Sequence, residues 1–81
     1  MTPTVFRESG FRFYFFSREE PRIHIDVHHA SGEAKFRLDP EIELAQNFDL
    51  SAGRIARALQ LIQEHENEIR VAWKAHFRSG R

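Results

Sequence analysis

Residues 21–40, PRIHIDVHHASGEAKFRLDP, gather imidazoles, cations and carboxylates in one short stretch. His24, Asp26 and His28 alternate, so an extended strand projects all three from one side. Imidazole and carboxylate together suit zinc, nickel or ferrous iron. Same-side residues of a strand stand roughly 6–7 Å apart, though, which stretches the site. Arg22 and Lys35 nearby would also repel a cation. The same residue types serve a second chemistry, RNA cleavage at the ribose 2′-hydroxyl. There His24 would transfer a proton near neutral pH, Asp26 would orient His24 or Lys35, the cations Arg12, Arg22, Lys35 and Arg37 would hold phosphate, and Tyr14 would stack on a base. A third use is protein recognition, where Tyr and Arg are favoured. The plainest reading is a set of cross-strand charge pairs, Asp26 with Lys35 or Arg37, that register and solvate a sheet.

All these readings need the polar residues on one face. The pattern provides it. TVF, RESG and FRFYFF read as a hairpin with Gly10 in its turn, and Phe11, Phe13 and Phe15 fall on one side. RIHIDVH alternates, with Ile23, Ile25 and Val27 opposite Arg22, His24, Asp26 and His28. HASGE reads as a turn with Gly32 in the left-handed region, and AKFRL returns with Ala34, Phe36 and Leu38 on the apolar side. The expected sheet is a four-stranded antiparallel meander, apolar on one face. Its polar face would collect Arg12, Tyr14, Arg22, His24, Asp26, His28, Lys35 and Arg37. DPEIELAQNFD reads as a connection with a short helical turn over 42–45.

Ser51 is a good N-cap for a long helix. Ile55, Leu59, Ile62, Ile69, Trp73 and Phe77 lie near one stripe, which Glu66 interrupts. An unbroken helix over 51–77 would run about 40 Å, against about 23 Å for a seven-residue strand. Either the helix kinks near EHENE, the reading favoured here, or it overhangs and buries Trp73 in a homodimer through the C-terminal helix. His65 and His76 read as helix-surface residues.

The fold class is therefore α+β in a single domain over 1–81: strand-rich over 3–39, a connection over 40–50, helical over 51–78. With 81 residues, 41% hydrophobic, eight phenylalanines and no cysteine, the chain builds one core without disulfides and without thiolate zinc. The formal net charge is zero, so bulk charge draws it to neither nucleic acid nor membrane, although a local patch still can. The first ten residues lack the basic-then-apolar order of a signal peptide, and no apolar run is long enough for a bilayer. The expected location is the cytoplasm, with no membrane partner and no cofactor.

Several blocks carry a family resemblance: TPTVFRESGFRFYFFSREEPRIHI, then GEAKFRLDP, ELAQN and EIRVAWKAHF. In order and spacing the chain resembles the domain of unknown function 4160 family of small bacterial proteins, from about Thr2 to Phe77. The matching positions are Glu20, Pro21, His24, the block Gly32–Phe36, and Trp73. Asp26 stands where related sequences often have a second histidine, and Arg37 where they often have tryptophan, which makes the face more basic. The resemblance implies a small protein partner encoded nearby, of the 2442 family, and membership of candidate toxin–antitoxin pairs. The function expected is thus an interaction module, the toxin-like member of a two-gene system, acting on a partner or on RNA through its His/Lys/Arg face. The alternatives are a non-catalytic partner-binding protein and a small metal-binding protein built on His24, Asp26 and His28. The residue types suit catalysis and recognition alike.

Overall fold

Two consecutive residues with positive φ, Ser9 at 56° and Gly10 at 82°, turn the chain back on itself. That is the backbone twist a two-residue hairpin requires. It joins β1 (Thr4–Glu8) to β2 (Phe11–Tyr14). The remaining elements are β3 (His24–His29), β4 (Gly32–Arg37), β5 (Glu43–Phe48), α1 (Ala52–Glu64) and α2 (Glu66–Ser79). The structure is a computed structural model that describes residues 4–15 and 23–79, with side chains as far as His76. The expectations placed on Glu20, Pro21, Arg22 and the Phe77 side chain lie outside the described residues.

The strands form one antiparallel sheet in the order β1-β2-β3-β4-β5. The α+β class and the meander hold, but the sheet has five strands, not four. The residues expected to form a connection with a helical turn are instead β5. Two things hid it. Glu, Leu, Ala and Gln favour helix, and the pairing skips Ala45: Lys35 faces Gln46 while Phe36 faces Leu44. That bulge puts Leu44 and Gln46 on opposite faces and breaks the alternation by which a strand is recognised. Pairing with β4 overrides the local preference.

One face of the sheet is the core. Phe11, Phe13, Phe15, Ile25, Val27, Ala34, Phe36 and Leu38 are all buried there, as the alternation predicts. Ala58, Leu61, Ile62, Ile69 and Trp73 cover them from the helices. Burying one such large side chain contributes about 1.5–3 kcal/mol, more than an exposed ion pair, so this layer holds the fold.

The helix breaks where EHENE suggested. Ser51 caps α1, its hydroxyl accepting from Arg54 N at 3.2 Å. His65 closes α1, its N–H donating to Leu61 O at 3.0 Å, while its own carbonyl accepts from Ile69 N at 2.9 Å. These two bonds bracket the kink, and His65 is the one residue between the two helices. Trp73 is 8% exposed in the chain's own core. Trp73, which the overhang reading would have placed at a dimer contact, is thus packed within its own chain.

Gly32 is glycine for a different reason from the one expected. Its φ is not in the left-handed region. Instead, β5 passes so closely that an added Cβ would lie 2.3 Å from Phe48 O and 2.9 Å from the Asp49 carbonyl carbon. Gly32→Ala should therefore cost about 1–3 kcal/mol, as overpacking does, and lower the melting temperature. Gly53, with nothing within 4 Å of an added Cβ, sits exposed in α1, and Gly53→Ala should instead stabilise by about 0.5–1 kcal/mol. Thermal unfolding of the two variants should move in opposite directions.

Candidate functional site

The sheet's second face is built in rows. The register sets Arg12, His28, Glu33 and Phe48 side by side across β2 to β5. The next row is Tyr14, Asp26, Lys35 and Gln46. A third begins with His24 and runs through Arg37 to Glu43. Strand alternation and cross-strand pairing thus bring all the described candidate residues onto one face, as the sequence predicts. Arg22 is outside the described residues.

The face is less solvated than expected. His24 is 1% exposed and Asp26 is 8% exposed. Trp73 of α2 packs against His24: its ring meets the imidazole edge-on at 4.9 Å and also meets Phe15 at 5.3 Å. His24 Nε2 stands 3.8 Å from Asp26 Oδ2, so the two polar groups face one another inside the sheet. A proton-transfer group must reach the proton it moves. Buried here, His24 is not placed to touch a molecule lying on the face.

The cations are also less free than the sequence suggests. Arg12 donates to Thr4 Oγ1 at 2.8 Å and lies 4.5 Å over the Tyr14 ring. Arg37 donates to Glu43 at 2.8 Å, and His28 Nδ1 meets Glu33 at 3.1 Å. Among the described residues Lys35 makes no ion pair. Its row and the one beside it line a depression of about 500 Å³: Tyr14, Asp26, Glu33, Lys35, Gln46 and Phe48. Burial raises the Tyr14 pKa, helped by the charges of Asp26 and Glu33 and opposed by Arg12. Tyr14 therefore stays a neutral phenol that can donate a hydrogen bond, and it is not a base. The hollow offers an ammonium, a phenol, an amide and the exposed ring of Phe48. Those groups suit recognition of a polar and aromatic surface.

A second cluster escaped the sequence reading. His65, at the helix break, directs Nε2 to Glu8 of β1 at 3.1 Å and Nδ1 to Glu68 of α2 at 2.9 Å. Its ring stacks on Phe6 at 4.0 Å, and Phe6 stacks on Phe13 at 4.3 Å. The Glu68 contact follows from i,i+3 spacing and was legible. The Glu8 contact spans 57 residues and was not. Glu8, Glu64 and His65 are also the described residues whose metal-type donor atoms lie within 4.8 Å of one another. Both His65 nitrogens already face carboxylates, so a protonated, ion-paired imidazolium explains the cluster. Among the described residues, His24, Asp26 and His28 do not bring three donor atoms within that distance of one another.

The molecule is thus a small α+β domain, one antiparallel sheet under a kinked helical layer, with its described polar candidates gathered on the opposite sheet face. It belongs to the family described as Domain of unknown function (DUF4160), which matches residues 10–74 and so includes every described residue of this face. Neither the curated proteins nor the solved structures compared with it contain a match. Among the described residues, no helix is long and apolar enough to cross a membrane.

The hydrogen bonds to Glu68 and Glu8 raise the His65 pKa above its ordinary 6.5, against the opposing effect of burial. A raised folded-state pKa contributes stability that is complete below the unfolded value and lost as pH rises through the folded one. Stability should therefore decline from about pH 6.5 upward in urea titrations across the neutral range. His65→Gln should flatten that slope.

Proposed function

We propose that this chain is a partner-binding domain that receives another protein on its open sheet face. The observation that carries the reading is the hollow framed by Tyr14, Lys35, Gln46 and Phe48, with Asp26 and Glu33 completing its wall. It combines an aromatic ring with a cation that has no ion pair among the described residues, the mixture that anchors protein interfaces. Its walls stand on strands held by the phenylalanine core, so the site is pre-formed and costs little ordering on binding. The resemblance stated above supplies the partner class: a small protein of the 2442 family encoded nearby.

The toxin-like role remains a finer form of the same reading, with Lys35, Tyr14 and Arg37 as its contacts. RNA has weaker support. Phosphate binding needs available cations, and on this face Arg12, His28 and Arg37 each already have a partner. His24, the intended proton carrier, is buried. The metal-binding alternative has less support, because His24, Asp26 and His28 do not converge their donor atoms among the described residues.

Tyr14→Ala and Lys35→Glu should each weaken the complex with the neighbouring gene's product about tenfold or more, as truncating an interface anchor does. Both should leave the melting temperature nearly unchanged, because both side chains lie outside the phenylalanine core. Calorimetric titration beside thermal unfolding checks this. Unaltered affinity in both variants would place the interface elsewhere. Induced expression of the chain alone tests the toxin form: arrest relieved by Lys35→Ala supports it, and normal growth removes it while leaving partner binding intact.

A further inference from the structure

We infer that the free edge of β5, Glu43–Phe48, accepts an extended basic and apolar segment of a partner protein as a sixth strand of the sheet. This rests on the partner-binding reading and names the contact that would extend it.

An edge strand presents a row of backbone donors and acceptors that another strand can pair with, and proteins ordinarily guard such edges with lysine, proline, short length or a covering element. The two edges of this sheet differ. β1 is bulged, carries Arg7 and Glu8, and is fastened beneath the helix break through Phe6 and Glu8 against His65. β5 is exposed along its entire length, contains neither lysine nor proline, and has the Ala45 bulge as its guard. That bulge also gives the edge its grip. Phe48 is 57% exposed and pairs with Glu33 on the open face, while Leu44 is 40% exposed and pairs with Phe36 on the core side. An added strand would find an apolar anchor above the sheet and another below it.

Charge selects the occupant. From Asp39 to Asp49 the chain holds Asp39, Glu41, Glu43 and Asp49, and no lysine, arginine or histidine. Arg70 answers Asp39 and Arg37 answers Glu43. Glu41 and Asp49 make no ion pair with the described residues. An acidic edge with apolar anchors on both sides suits a strand that alternates basic and apolar side chains, the geometry of β-strand addition. A second copy of this chain would bring the same acidic edge, so charge opposes self-pairing.

The test titrates the isotope-labelled full chain with a seven-residue peptide alternating lysine and valine, read by amide chemical shifts. The expected result is saturable shifts concentrated in Glu43–Phe48 that weaken as salt rises, with Glu43→Lys raising Kd by about threefold or more. Shifts absent at millimolar peptide, shifts centred on β1, or equal binding of the glutamate–valine counterpart would each overturn the inference. So would a dimer formed through β5 that excludes the peptide. The broader reading fails separately. If the neighbouring gene's product binds in a Tyr14-dependent way while β5 amide exchange stays unchanged, the edge inference falls and the face stands. Peptide shifts at β5 with no Tyr14 effect give the reverse.

Discussion

The length of the sheet governs the rest of the molecule. A six-residue strand spans about 20 Å, and a helix that covers it can project no further without exposing its apolar stripe. The helical segments, of 13 and 14 residues, are each about 20 Å long, so the break at His65 matches each to the sheet it covers. Arg70 then fastens α2 to the end of β4. Its guanidinium donates to Glu66 at 2.9 Å, Asp39 at 3.1 Å and the Leu38 carbonyl at 2.9 Å. A planar fork suits three acceptors in a fixed arrangement, and an ammonium would not. Both helices lie on the phenylalanine face, and among the described residues the opposite face keeps Lys35, Gln46 and Phe48 accessible.

Much of this architecture is legible from period alone. FRFY, IHIDVH and AKFR alternate cleanly, and each buries the side that alternation assigns to the core. Ser51 and the interrupted stripe mark the helix start and its break. β5 was not legible, because a bulge removes the period and the residues themselves favour helix. Gly32 was legible as a necessary glycine but not for its cause. Local turn grammar suggests a left-handed residue, whereas the cause is the passage of a strand sixteen residues away, which only the assembled sheet reveals.

For the candidate site, the face could be read and the environment could not. Alternation places Tyr14, Asp26 and Lys35 together, and the register confirms that they share a row. Burial depends on what the helix brings across the end of the sheet. Trp73 stands 49 positions beyond His24 in the sequence, and its arrival turns an expected proton carrier into an internal residue. The His65 cluster shows the same limit. Its local partner follows from spacing, while its distant partner on β1 depends on where the kink falls.

The arrangement of charge is what motivates the proposed recognition role. A catalytic face needs a titratable group held near substrate with room to exchange protons. Here the imidazole best placed in the sequence is sealed beneath an indole, the accessible tyrosine is biased toward its neutral form, and each arginine described on the face is already engaged. Among the described residues, the accessible features beside that imidazole are the Lys35 ammonium, the Tyr14 phenol, the Gln46 amide, the His28 imidazole already paired with Glu33, and two exposed apolar side chains, Leu44 and Phe48, placed on either side of an open strand edge. Together they match what a bound polypeptide presents: backbone along an edge, and side chains in a hollow beside it. On the proposed reading the site is complementary to a polypeptide, and the apolar anchors at the edge would set the direction from which it approaches.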